Sequence, residues 1–325
     1  MSDKRYIRKL VFSITIPILV FLVIFSGLQI LESTVSHNGS TISVPSKTIT
    51  RDGVDYFPRQ DIKVIMLLGI DQFGPVQSSA SYNNPGAADL IMLLVFDETN
   101  ETVQVLGLNR DTMLRMPILG IGGKPAGSIY AQLALSHTYG SGLEDSCENT
   151  KKTVSDFLYG VYIDYYISMN MDAITVLNDL VGGVTVTVTE DFSSIDPSIE
   201  IGEVTLTGQQ AIHFVRSRKD LSNQMNVTRM DRQAEYVESF LKTFRGKMLG
   251  DTSLVLFAYE AVLPYIVTDC STNALVGMID RYAKYELVEI ISPMGENIRG
   301  DRYMEFYVDE AELDSLILRT FYAPK

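Results

Sequence analysis

Two short, almost unbroken apolar runs constrain this chain more than any other feature. Residues 62–70 and 90–96 lack the alternation of a half-solvated strand and are shorter than an ordinary helix. Runs of this kind are strands covered on both faces, so the sheet that holds them needs a layer on either side. Residues 102–108 alternate more. The polar turn Asp97-Glu98-Thr99-Asn100-Glu101 before them predicts a hairpin joining the second and third strands.

Helical spacing follows at 128–139, 148–159, 171–181, 207–215, 230–246, 252–263, 272–283 and 309–321. Strands are predicted at 163–169, 184–190, 286–292 and 303–308. Strands interleaved with helices over residues 61–325 predict one α/β domain with a mixed central sheet flanked by helices. A hydrophobic fraction of 46% supplies the core such a domain needs. Gly182-Gly183 reads as a helix stop before the next strand.

The N-terminus asks for a different environment. Residues 10–31 form 22 positions without a charged side chain. As a helix they would span roughly 33 Å, which matches a hydrocarbon core of about 30 Å. Lys4, Arg5, Arg8 and Lys9 precede the run, with Asp3 the single acid. That bias keeps residues 1–9 cytoplasmic and exports the rest, giving a single-pass type II protein of the cell membrane with an extracytoplasmic domain. A cleaved signal peptide is the alternative, but residues 30–33 offer no small-residue cleavage site. Residues 32–60, rich in Ser, Thr and Asn, read as a linker.

The formal net charge is −13, and the cationic N-terminus makes the remainder more acidic still. Nucleic-acid binding requires a basic surface and is excluded on this ground. Cys147 and Cys270 are the only cysteines. They are open to a disulfide in an oxidising compartment or to two free core thiols. His37, His137 and His213 show no metal-ligand spacing, and the chain contains no phosphate-binding glycine loop of the Walker type.

The strand order brings charges together. Asp71 ends the first apolar run, Asp89 opens the second, and Arg110-Asp111 ends the third. In an antiparallel arrangement all four share one rim of the sheet. Hard carboxylate oxygens suit Mg²⁺, and arginine's planar fork suits phosphate oxygens. The plainer reading is that Asp71 and Asp89 cap turns while Arg110 pairs with a carboxylate. Downstream, Arg216 and Arg218 stand two apart after an apolar helix. Arg229, Arg232 and Gln233 occupy i, i+3 and i+4 on one helical face. A salt-bridge network and an anion site both account for them.

Several strings in this chain resemble the LytR-CpsA-Psr family in the family's order. They are Leu67-Leu68-Gly69-Ile70-Asp71, Asp89-Leu90-Ile91-Met92, Leu108-Asn109-Arg110-Asp111-Thr112, Leu180-Val181-Gly182-Gly183-Val184, Phe214-Val215-Arg216-Ser217-Arg218 and Arg229-Met230-Asp231-Arg232-Gln233. The resemblance implies a membrane-anchored enzyme that transfers a glycopolymer, such as teichoic acid or capsule, from an undecaprenyl-pyrophosphate carrier to peptidoglycan. By the same resemblance, Asp71 and Asp89 hold Mg²⁺ on the pyrophosphate. Arg110, Arg216, Arg218, Arg229, Arg232 and Gln233 bind its oxygens, and Asp111 orients the arginines or helps deprotonate the acceptor. An apolar tunnel for the polyprenyl chain is implied as well.

The chain departs from the family pattern in having Asn109 where a proline is usual, Ser128 where a lysine is common, and Asn226 where an acid is usual. These departures keep two other functions open: a non-catalytic polyprenyl-phosphate-binding or regulatory envelope protein, and a polyprenyl-pyrophosphate hydrolase.

Overall fold

A computed structural model describes residues 48–217, scattered helical residues between 232 and 247 (Arg232, Glu235, Tyr236, Ser239 and Phe240 among them), and most of 254–324. The expected membrane helix at 10–31 lies outside the described residues. Among the described residues, no helix is long and apolar enough to cross a membrane.

The strands in chain order are β1 (Ile49–Arg51), β2 (Val54–Pro58), β3 (Ile62–Ile70), β4 (Ala88–Asp97), β5 (Thr102–Leu108), β6 (Met113–Leu119), β7 (Pro125–Gln132), β8 (Tyr165–Asn170), β9 (Val184–Val188), β10 (Gly202–Leu206), β11 (Ile266–Thr268), β12 (Glu286–Ile291), β13 (Gly295–Arg299), β14 (Met304–Val308) and β15 (Tyr322–Pro324). Among the helices are α1 (Glu144–Phe157), α2 (Asp172–Leu180), α3 (Gly208–Arg216), α4 (Leu254–Val262), α5 (Thr272–Tyr282) and α6 (Glu310–Phe321).

Six strands form the central sheet in the order β11-β8-β3-β4-β5-β12. The β3–β4 and β4–β5 pairs are antiparallel, whereas β8 runs parallel to β3 and β12 parallel to β5. This is the mixed sheet flanked by helices expected from the sequence. Its two faces explain the unbroken apolar runs. Ile65, Leu67, Met92, Leu94 and Phe96 point into one core with α2, α3, α4, α5 and the helical residues Tyr236 and Phe240. Val64, Met66, Leu68, Leu93 and Val95 point into a second core with α1, α6 and the β6–β7 hairpin. Both faces are buried, so no polar alternation is called for.

Two expectations need correction. Residues 128–132, predicted helical, belong to β7, and only Leu133–Ser136 turns, as a 3₁₀ helix. Ile129, Ala131, Leu133 and Leu135 alternate with period two as readily as they fit a helix, and pairing with β6 decides the outcome. Part of the stretch read as linker is ordered: β1 pairs with β2, and β2 pairs with β15 near the C-terminus. Of the two readings left open for the cysteines, the structure shows the second: both are free and buried. Burial pushes the Cys147 thiol well up and the Cys270 thiol up to about 12, so neither is a nucleophile at neutral pH.

Candidate functional site

The C-terminal ends of β3, β5 and β8 and the N-terminal end of β4 lie on one edge of the central sheet. Asp71 follows β3 directly. Asp89 sits at a register shift: Gly69 faces Leu90 while Ile70 faces Ala88, which leaves Asp89 as the extra residue of a β-bulge. A bulge bends the strand and re-aims the side chain that carries it. Continuing the β4–β5 register beyond Ile91↔Leu108 sets Arg110 opposite Asp89.

The side chains meet as two ion pairs. Arg110 Nη1 donates to Asp89 Oδ1 in a short contact. Arg216 Nη2 donates to Asp71 Oδ1 at 2.5 Å, and its guanidinium lies 5.0 Å from the centre of the Phe73 ring. Arg216 ends α3, which opens on a capping box between Thr207 and Gln210. A cation in the last turn also suits the negative end of the helix dipole. All four groups keep roughly a quarter or more of their side-chain surface exposed. The rim is therefore open to a ligand.

Asp111 is held from two sides. Gln132 Nε2 donates to its Oδ1 at 2.7 Å and to the Met304 carbonyl at 2.8 Å, while the Phe306 amide donates to the Asp111 carbonyl at 2.8 Å. Its carboxylate lies 3.5 Å from Arg110 Nε. Asn109, which replaces the family's usual proline, builds the turn by other means. Its Oδ1 accepts from the Asp111 amide at 2.9 Å, and its carbonyl accepts from Thr112. Ser128, in place of the usual lysine, accepts from Arg115 Nη1 at 3.0 Å on the β6–β7 hairpin.

Arg232 differs from the other arginines. Only 6% of its surface is exposed. It donates to the Phe214 carbonyl at 2.9 Å, to the Ser217 carbonyl at 2.6 Å and, in a short contact, to Glu190. Burial lowers its pKa, with the neighbouring Glu190 charge opposing. A guanidinium committed in this way does not line an open pocket, which corrects the expectation that Arg232 contacts phosphate. Arg218, Arg229, Gln233 and Asn226 lie outside the described residues.

Sequence reasoning missed the anchor of the 71–89 loop. The buried Asn84 amide donates to the carbonyls of His137 (2.8 Å) and Gly140 (3.1 Å) and to Ser146 Oγ (3.1 Å), and its Oδ1 accepts from the Gly86 amide. His137 Nδ1 donates to the Gly86 carbonyl at 2.8 Å, and the Asp71 amide donates to that of Ala87. Only a pattern of Asn and His over fifty residues apart encodes this, and no local signal announces it.

Burial lowers the His137 pKa from 6.5 to about 4, against the hydrogen bond to Gly86. The unfolded chain takes up this proton at pH 6.5 and the folded one does not until about 4. Stability is therefore full above pH 6.5 and falls as pH drops toward 4, by about 3 kcal/mol at 1.36 kcal/mol per pH unit. Urea midpoints at pH 7, 5 and 4 check this. His137→Gln is expected to flatten that slope, and an unchanged slope would show that His137 is not the group responsible.

Among the described residues, no cluster of three or more His, Cys, Asp or Glu is arranged to hold a metal. Mg²⁺, however, commonly takes one or two protein carboxylates and completes its shell with water and phosphate. The arginine donors reach Oδ1 of both Asp71 and Asp89. Asp71 and Asp89 are carboxylates, the hard oxygen donors that Mg²⁺ takes, so the chemistry of these residues would suit that ion.

The comparisons with known proteins agree with this fold. The sequence profile described as the LytR_cpsA_psr family matches residues 27–320. The polyisoprenyl-teichoic acid–peptidoglycan teichoic acid transferase TagU of Halalkalibacterium halodurans is 29% identical over 304 residues, covering 93% of this chain and 91% of that protein. TagU of Bacillus cereus (strain ATCC 14579) is 27% identical over 311 residues, covering 92% of each. The crystal structure of protein gbs0355 from Streptococcus agalactiae superposes with a TM-score of 0.60 at 22% identity, covering 80% of this chain and 86% of that one. With the profile matching residues 27–320 of its 325, this chain belongs to the LytR-CpsA-Psr family.

Proposed function

We propose that this protein transfers a glycopolymer from an undecaprenyl-pyrophosphate carrier to peptidoglycan. One observation carries the reading: two arginine–aspartate pairs, Arg110–Asp89 and Arg216–Asp71, stand on one sheet rim. Relatives that align over nine-tenths of the chain are named as teichoic acid transferases. Those names support a cell-wall transferase, and the rim offers the chemistry that a diphosphate needs.

In this reading a sugar hydroxyl of peptidoglycan attacks the glycan-bearing phosphorus. A new P–O bond forms to the acceptor, the bridging P–O bond breaks, and polyprenyl monophosphate leaves with the electron pair. Arg110 and Arg216 exchange part of their contact with Asp89 and Asp71 for phosphoryl oxygens. Their donors are already fixed at the rim, so little reorganisation is needed as charge develops. Asp111, 3.5 Å from Arg110 Nε, would hold that guanidinium in register or help deprotonate the acceptor. Mg²⁺ held by Asp71 and Asp89 would neutralise charge on the diphosphate. The apolar run at 10–31 would keep the domain beside a substrate confined to the bilayer.

The test incubates the full chain in detergent with lipid-linked glycan, peptidoglycan sacculi and Mg²⁺, and measures glycan bound covalently to the sacculi. Label on sacculi, lost when chelator is added, is the expected result. Lipid binding with no product would point instead to a binding or regulatory protein. Phosphate release indifferent to sacculi would point to a hydrolase.

A further inference from the structure

We infer that Glu190 and Arg232 form a buried strut that positions Arg216 without touching the substrate. The inference rests on the proposed function, in which Arg216 grips a diphosphate.

Arg216 is the last residue of α3, where an α-helix runs out of partners for its carbonyls. Two of the carbonyls around it, those of Phe214 and Ser217, accept from Nε and Nη2 of the single guanidinium of Arg232. They bracket Arg216 on either side, so one rigid planar group sets the path of the backbone through it. The third direction of the fork, Nη1, goes to Glu190, which follows β9. The Phe192 and Phe214 rings stack on each other at 5.8 Å, and the guanidinium lies against the pair, 5.4 and 6.0 Å from their centroids. The strut thus ties the β9 end of the first core to the end of α3.

Exposure separates the two arginines. The Arg232 side chain is 7% exposed and that of Arg216 39%. Arg232 spends its fork on protein groups, and Arg216 reaches the rim and Asp71. A lysine in place of Arg232 would keep the charge but not the fork that holds two carbonyls and a carboxylate together. The Glu190 Oε1 atom is buried and has no hydrogen-bond partner among the described residues. Through Oε2 the carboxylate is tied to Arg232, the partner it would lose with the fork.

The experiment measures binding of farnesyl diphosphate to the full chain in detergent, for wild type, Arg216→Ala, Glu190→Gln and Arg232→Lys. It also measures each strut variant combined with Arg216→Ala, with thermal midpoints recorded in parallel. Expected are a loss of about ten-fold for each strut variant alone, and less than about two-fold for the same change once Arg216 is alanine. That non-additivity is the mark of a residue acting through Arg216, and a merely weaker fold would not produce it. Equal losses in both backgrounds would overturn the proposal, as would strut variants that bind like wild type while Arg216→Ala binds poorly. If Arg216→Ala itself binds like wild type, the diphosphate reading fails first and takes the strut with it. Glu190→Gln is nearly isosteric and decides between these outcomes where Arg232→Lys fails to fold.

Discussion

Arg110→Ala is expected to lower glycan transfer to sacculi by about 10²–10³-fold, the usual consequence of deleting one preorganised donor from a site of developing negative charge. Asp89→Ala is expected to lose as much, because it removes both the partner that aims Arg110 and a carboxylate proposed to hold Mg²⁺. Neither change should unfold the protein. The Arg110 and Asp89 side chains are 34% and 24% exposed, and a pair so open to water contributes no more than about 1 kcal/mol. The signature is thus a large fall in kcat with a thermal midpoint close to that of wild type. Full transfer by either variant would remove the rim from the mechanism. A fall in activity matched by a collapse in midpoint would make the pair structural.

Much of this rim was legible in the sequence because its geometry follows from local facts. A polar turn at 97–101 makes β4 and β5 a hairpin, and a hairpin sets the start of one strand beside the end of the other. The apolar runs of β3 and β4 announced a sheet covered on both sides, which the two cores supply. The bulge at Asp89 was not legible, since it arises from a register mismatch between two strands and from the loop anchored by Asn84 and His137. The same holds for β7. Its alternating residues fit helix or strand until β6 pairs with them. Pairing of β2 with β15 joins residues more than 260 positions apart, beyond any window of local pattern.

Arg232 marks where pattern reading stops. The spacing of Arg229, Arg232 and Gln233 says that they share a helical face, but not which way that face looks. Its partner Glu190 lies 42 residues upstream, and the two carbonyls it holds lie 18 and 15 residues upstream. A cluster of arginines in an acidic chain thus divides into exposed and buried members by tertiary contacts alone.

That division predicts the largest stability change. Arg232→Ala is expected to lower the unfolding free energy by about 3–5 kcal/mol, the cost of removing one partner of a buried ion pair. Three effects act together. Glu190, 11% exposed, is left without its countercharge, the Phe214 and Ser217 carbonyls lose their donor, and a gap opens beside the stacked Phe192 and Phe214 rings. Replacing Glu190 as well removes the stranded carboxylate, so the double change Glu190→Leu with Arg232→Met is expected to recover much of the loss, as apolar substitutes for buried pairs often do. Urea unfolding of wild type, the single variant and the double variant, read from midpoints at constant m-value, measures this directly. A single-variant loss below about 1 kcal/mol, the range of exposed pairs, would mean that Arg232 is solvated in solution and free to reach the rim. Recovery of stability in the double variant without recovery of diphosphate binding would separate the two duties of this residue, since an apolar pair fills the gap but cannot hold the carbonyls on either side of Arg216.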